Sequence, residues 1–293
     1  MHSRRTTPLA IASRIALLPA ALITVLCFYG FVAWTFVISL TGSHLLPVYQ
    51  FVGFEQYRRL FANLRWWTAM SNLLIYAACF VGGCLLIGYG LAILIDRGTR
   101  WCRFYRAVFM MPLSVSFVAT GVIWQWLLNP ELGLQHAVRA LGWSNFQFDW
   151  LVRSDRAIYA LAGVAIWQQS GLSLAVFLAG LSRIDPNVWK IASLDGIPAW
   201  RVYCHVITPL LRPAFLAATV LLASMAGKSY DLIVTLTGGG PGFSSDLPAH
   251  FVVDLINRQE LGMGAAGACM LLCTVAAVVG PYLYWELRAQ KTS

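Results

Sequence analysis

The sequence is poor in charge. Of its 293 residues only 11% are Asp, Glu, Lys or Arg, 59% are hydrophobic, and mean hydropathy is +0.68. A soluble domain carries about 25% charged residues, so this composition excludes an ordinary water-soluble domain and fits a polytopic membrane protein. Acid is the scarcer sign: 12 Asp and Glu stand against 21 Lys and Arg, a formal charge of +9. In a membrane chain such an excess belongs in cytoplasmic loops, and no nucleic-acid partner is expected.

Metal and redox signatures are missing as well. The seven cysteines (Cys27, Cys79, Cys84, Cys102, Cys204, Cys269 and Cys273) form no Cys-x-x-Cys pair and lie mostly in apolar runs. They read as small hydrophobes in helices, which excludes a disulfide scaffold or a zinc site. Five histidines are scattered over loops and termini, so no catalytic triad or metal cluster emerges, and neither a catalytic residue nor a metal ligand is assigned. Gly227-Lys228-Ser229 spells the end of a phosphate-binding loop, but Leu222 stands where its first Gly is required. The tripeptide also lies in an apolar run instead of between a strand and a helix, so it is not an ATP site.

What the sequence has is apolar runs of membrane length. A helix crosses a bilayer in about 20 residues. Six stretches qualify: 15–40, 72–95, 108–128, 157–181, 214–236 and 263–284. The first is too long for a signal-peptide core and lacks a small-residue cleavage site, so residues 1–14 read as a cytoplasmic N-terminus before a retained span. Trp66-Trp67, Trp124 with Trp126, and Tyr282 with Tyr284 are placed as interfacial aromatics. The N-terminus, the 96–106 and 182–212 loops and the C-terminal tail together hold thirteen Lys and Arg, and the alternate loops hold seven. Both termini are therefore cytoplasmic, which requires an even number of spans. The expected fold is all-α, with one membrane domain over residues 15–290.

The 182–212 loop carries unusual punctuation. Asp185-Pro186-Asn187 is a helix start, with Asp185 as cap and Pro186 in the first turn. Asn187 to Leu194 predicts two helical turns, and Asp195-Gly196 ends them. A second amphipathic helix runs from about Trp200 to Ile207, with Pro209 and Pro213 bracketing the approach to the fifth span. Val188, Trp189, Ile191 and Leu194 are apolar residues in a cytoplasmic loop, and such a surface calls for a partner.

The stretch from Lys190-Ile191-Ala192 through Asp195-Gly196 and Trp200 to Ile207-Thr208-Pro209 resembles the EAA loop of ABC-importer permeases. Gly196 and Pro209 stand at the family's separation of 13 positions. The resemblance departs at two places: Lys190 stands where Glu is usual, and Ile191 where Ala is usual. Thr237-Gly238-Gly239-Gly240-Pro241-Gly242, Asn129-Pro130-Glu131-Leu132-Gly133, Met111-Pro112, Asp246-Leu247-Pro248 and the Pro281 to Arg288 end are similar to the carbohydrate (maltose-type) subfamily. The nearest likeness is to permeases of glucose/mannose importers. The resemblance covers about residues 15–290.

It implies a type I importer permease fold with six spans in an inner membrane, and no covalent chemistry in this chain. The 182–212 loop would be the coupling loop that docks on an ATPase. The implied partners are a second homologous permease, two cytoplasmic ATPase subunits that use ATP and Mg, a periplasmic sugar-binding protein, and membrane lipid. Glucose- or mannose-like sugars are implied first, with an oligosaccharide or glycerol-3-phosphate as alternatives. A proton-coupled carrier is the rival of another class, and it would need an acid relay that only Asp231 offers.

Polar groups inside spans mark possible substrate contacts. Trp167, Gln168 and Gln169 offer the aromatic and amide groups that bind sugars, although Gln also bridges helices. The resemblance adds Leu172, Leu222 and Ala226 as cavity-lining positions. Lys228 and Asp231 lie three apart on one predicted helical face and are read first as a buried, mutually neutralising pair, with direct substrate contact as the alternative. The Gly238–Gly242 turn is read as a point of close approach for a docked binding protein or the cavity mouth.

Overall fold

The computed structural model describes residues 18–19, 21–96, 101–185 and 187–292 of the chain. Among these every regular element is a helix, with one isolated bridge between Thr41 and Phe51. The chain divides into two compact units, one of residues 1–62 with 252–270 and one of residues 63–251 with 271–293.

In the first unit, α1 (Ala21–Ser39) is a nearly fully exposed apolar helix with a π-helical stretch at Val25–Tyr29. Such a surface suits lipid and not water. The amphipathic helix α2 (Glu55–Ala62) buries Gln56 and Leu60. The Gln56 amide donates to the Thr41 carbonyl at 3.1 Å, and the Ser39 and Tyr57 hydroxyls meet at 2.8 Å.

The second unit is organised by two long helices, α3 (Leu64–Asp96) and α7 (Ala157–Leu181). The 33 residues of α3 make a rod of about 50 Å, far more than the ~30 Å hydrocarbon core. It begins eight residues earlier than the expected span at 72, and this reassigns Trp66. That ring is buried against Phe251, 5.6 Å between centroids, and only Trp67 remains exposed. The bounds of α7 coincide with the predicted 157–181.

The predicted third span is not one helix. It is α4 (Cys102–Met110), a 3₁₀ turn at Met111–Ser114, and α5 (Phe117–Leu127), with a bend of 99° between the halves. Pro112 sits at the start of the 3₁₀ turn, Val115 is extended, and the Ser116 hydroxyl accepts from Ala119 N at 3.2 Å as a new N-cap. These signals restart the helix inside the apolar run. A short α6 (Leu134–Ala140) follows the Asn129 turn, with Asn129 Oδ1 accepting from Glu131 N and Leu132 N.

Beyond α7 come α8 (Asn187–Leu194) and α9 (Ala199–Leu210), the latter with a π-helical turn at Tyr203–Ile207. Pro209 does not end α9, contrary to the sequence reading; the break falls at Leu211, where α9 bends by 67° into α10 (Arg212–Gly227). The predicted fifth span is also broken, because α10 stops at Gly227 and α11 (Asp231–Leu236) begins after Lys228–Tyr230. The remaining helices are α12 (Pro248–Asn257) and α13 (Leu261–Thr292).

Among the described residues four helices are long and apolar enough to cross a membrane, or six when each bent pair counts as one span. Two clusters of buried side chains lie along the α3–α7 pair. One joins Tyr76, Phe80, Leu161, Leu222 and Ile233, and the other joins Ala92, Leu174, Phe177, Tyr203 and Ile207. The second cluster roots α8 and α9 on the spans.

Candidate functional site

The loop between α7 and α10 is built by local chemistry. Asp185 Oδ1 accepts from Asn187 N at 2.9 Å and the Asp185 carbonyl accepts from Val188 N, which starts α8 as the sequence predicts. Pro186 lies outside the described residues. At the other end Gly196 has φ +64°, and Ile197 N donates back to the Ala192 carbonyl at 3.0 Å. This is the Schellman stop, a backbone conformation that Gly adopts without the steric cost of a Cβ.

The inner face of this helical knob is fixed to the spans. Ala192, Val202, Tyr203 and Ile207 are buried. The Trp189 and Tyr203 rings lie 5.0 Å apart, Tyr203 OH donates to Asp96 Oδ2 at 3.1 Å, and Tyr89 OH meets Thr208 Oγ1 at 2.6 Å. Thr208 Oγ1 also donates to the Tyr203 carbonyl at 2.7 Å, satisfying an acceptor in the π-helical turn. The expected apolar surface is therefore only half realised. Val188 and Trp189 pack inward, and Ile191, Leu194, Ile197 and Trp200 remain outside. Leu194 is 86% exposed at the tip of α8.

Between α8 and α9 lies an open groove of about 630 Å³ with an apolar floor of Val188, Ile191 and Ala192. Asp195, Arg201 and His205 stand on its walls, and the Arg201 guanidinium lies 5.2 Å from the Trp200 ring. Lys190 is on the exposed side of α8. Of the coupling positions read from the sequence, Lys190, Ile191, Asp195, Gly196 and Trp200 are brought to this surface, Ala192 is buried beneath it, and Pro209 lies exposed near the end of α9, outside the groove. A rooted, outward-facing apolar groove with charged walls can hold a complementary protein element; it has no group placed for bond-making chemistry.

The substrate positions are not brought together. Trp167 is half exposed, edge-on to Trp124 at 5.5 Å. Gln168 is buried, and its amide donates to the Val115 carbonyl at 2.7 Å, a helix-bridging use. Gln169 is also buried, and Leu172, Leu222 and Ala226 belong to the apolar core. The Lys228–Asp231 reading is corrected. Lys228 caps the end of α10 and Asp231 opens α11, so the two share no helical face. Both are exposed and no ion pair joins them. An acid at a helix start is favourable without any partner.

One arrangement escaped the sequence reading. Asp246, completely buried, accepts from Arg65 Nε at 2.6 Å and faces His250 Nδ1 at 2.6 Å. Arg65 and Asp246 are 181 positions apart, and only the Asp-Leu-Pro turn at 246–248 drew attention. No local pattern links the two.

Comparison with known proteins gives the family. The model for "binding-protein-dependent transport system inner membrane component" matches residues 84–286. The chain belongs to this family. Among its relatives is a probable ABC transporter permease protein of Pyrococcus horikoshii, 34% identical over 94% of this chain and 95% of the relative. Another is the xylose/arabinose import permease protein XacH of Haloferax volcanii, 34% identical over 89% of this chain and 83% of that one. In fold, the permease matches a chain in the crystal structure of a bacterial alginate ABC transporter in complex with an alginate pentasaccharide-bound periplasmic protein. The TM-score is 0.83 at 16% identity, covering 99% of both chains. The permease thus has the ABC-importer permease fold and is a multi-pass inner-membrane component. It is a transport subunit and not an ATPase.

Proposed function

We propose that the chain forms half of the pore of a binding-protein-dependent sugar importer, and that the α8–Gly196–α9 knob is its coupling element. The observation that carries this reading is the knob itself: buried on one side against α3 and α7, apolar and exposed on the other. A surface of that kind is stable when a partner covers it. The partner is one of two ATPase subunits that bind ATP and Mg, and a second, homologous permease completes the pore. A binding protein delivers the solute from the outer side, and ATP-driven movement of the knob switches the access of the pore. Lys190, Ile191, Ala192, Asp195, Gly196, Trp200 and Pro209 form or support the coupling surface. The substrate route through Trp167, Gln168, Gln169, Leu172, Leu222, Ala226, Lys228 and Asp231 is retained only at Trp167, Lys228 and Asp231, whose exposure in the chain suits a path lined jointly with the second permease.

Sugar as substrate class is supported by relatives such as the xylose/arabinose permease. Within that class a glucose- or mannose-like sugar is the first candidate. The test is uptake of labelled glucose, mannose, xylose, maltose and glycerol-3-phosphate in a host lacking this gene, restored with the intact chain or Gly196→Pro. Proline fixes φ near −65° and cannot adopt the +64° of Gly196. Loss of one sugar's uptake, restored only by the intact chain, is the expected result. Unchanged uptake of every solute sinks the sugar reading, and full activity of Gly196→Pro sinks the coupling role in favour of a proton-driven carrier.

A further inference from the structure

The turn between α11 and α12 has four residues with left-handed backbone: Gly238, Gly239, Gly242 and Phe243, with φ of +60°, +82°, +59° and +66°. Its crest, at Gly238, Gly242 and Phe243, is exposed. A glycine-rich segment of this kind has high conformational entropy unless something holds it.

Here its stem is held at every level. Asp246 Oδ2 takes the Arg65 Nε hydrogen at 2.6 Å. The Asn72 amide donates to the carbonyls of Phe243 and Asp246 at 3.2 and 3.0 Å. Ser245 Oγ donates to the Gly240 carbonyl at 2.7 Å and lies 2.8 Å from Thr237 Oγ1. His250 closes the other side, so near Gly239 that a Cβ there would lie 3.0 Å from its ring. The Arg65 guanidinium also lies 4.2 Å from the Phe243 ring centre. Arg65 and Asn72 both belong to the start of α3, so the turn is clamped to the longest rod of the unit.

Burying a charge pair is no economical way to gain stability, since an apolar pair of the same shape does as well or better. What this pair does in the structure is tie the base of the turn, at Asp246, to Arg65 of α3. A fixed crest lowers the ordering cost for a partner that binds it. The crest also lies in one of the loops poor in Lys and Arg, on the outer side of the membrane by the charge asymmetry.

We propose that Arg65, Asn72 and Asp246 are positioning residues that hold the Gly238–Phe243 crest in the shape read by the solute-loaded binding protein. This rests on the importer reading above. The experiment reconstitutes the complete transporter and titrates loaded binding protein, measuring uptake and, without binding protein, basal ATP hydrolysis. Asp246→Asn is expected to raise the half-saturating binding-protein concentration about tenfold, with maximal uptake and basal hydrolysis unchanged. Arg65→Lys keeps the charge but loses the planar guanidinium and should give a smaller rise in the same quantity. Phe243→Ala, which alters the crest and leaves the Arg65–Asp246 pair in place, should also raise it. If Asp246→Asn fails to assemble, the other two variants decide. Unmoved half-saturation in the variants that assemble overturns the proposal, and so does an equal loss of maximal uptake and basal hydrolysis without a shift in half-saturation. Wild-type transport that needs no binding protein would instead overturn the importer reading.

Discussion

The packing of α3 on α7, the most extensive helix contact in the second unit, turns on Gly88. A Cβ built there would lie 2.4 Å from Ser173 Cβ, 2.9 Å from Leu174 N and 3.0 Å from Ser173 C. Two of these are backbone atoms that no rotamer change can remove. Carbon atoms settle at about 3.5–4.0 Å, so Gly88→Ala must separate the helices locally by about 1 Å, and a gap of that size forfeits a quarter to a half of each contact. Overpacking of this kind costs about 1–3 kcal/mol. In lipid it is felt in full, because small residues that allow close approach are what drive helix association there. A thermal melt of the purified chain in detergent is the assay, with an expected fall of roughly 5 °C. Ser173 Oγ is buried without a partner, so Ser173→Gly loses no hydrogen bond and removes the nearest clash. Gly88→Ala with Ser173→Gly should therefore recover part of the loss, the contact with Leu174 N remaining. Gly90→Ala, with nothing within 4 Å of its Cβ, should be neutral or stabilising. If Gly88→Ala melts with wild type, or Gly90→Ala is as damaging, the close-approach argument is wrong.

Three further outcomes follow from the geometry. Cys204 is exposed on α9, so a membrane-impermeant maleimide should label it in inside-out but not right-side-out vesicles, and assembly with the ATPase should protect it; labelling from outside would refute the topology. Leu194→Asp, at an 86% exposed tip, should change stability by less than about 0.5 kcal/mol yet block co-purification with the ATPase, and undiminished co-purification would remove α8 from the coupling surface. Gln168→Leu strips the Val115 carbonyl of its donor and should cost about 1–3 kcal/mol. Gln168 and Gln169 each bury a carbonyl without a partner, so Gln169→Leu, which breaks no such bond to Val115, should cost less, and equal losses would sink the distinction.

The sequence revealed most where the signal is local. Asn187 to Leu194 and Gly196 appear as a helix and its stop because capping and left-handed backbone depend on adjacent residues. The bounds of α7 were legible for a similar reason: Arg156 and Ser182 flank a run that is apolar apart from Gln168-Gln169-Ser170 and Ser173 and contains no Pro or charged residue. Hydropathy failed at the broken spans because it sums over a window and ignores backbone direction. Pro112 with Ser116 inside one run, and Gly227 to Tyr230 inside another, were the available signals, and both were overridden by apolar neighbours. Lys228 and Asp231 went wrong with the fifth span, since their pairing assumed a continuous helix. The Arg65–Asp246 clamp was beyond reach, because a contact across 181 positions leaves no periodicity.

The break in the third span and the burial of Gln168 turn out to be one fact. Unwinding a helix inside an apolar region frees backbone carbonyls that lipid cannot satisfy, so such breaks persist only where protein supplies donors. At the α4–α5 break Val115 and Ser116 are extended, and the group that reaches the Val115 carbonyl is the Gln168 amide of α7, at 2.7 Å. A polar residue in mid-span had two readings, substrate contact or helix bridge. At the break the amide nitrogen of Gln168 serves as a bridge to the Val115 carbonyl, while its Oε1 is buried without a partner. The 99° bend and the polar face of α7 thus depend on each other. Next to Gln168 on α7, the Trp167 ring stands edge to face with Trp124 of α5, 5.5 Å between centroids.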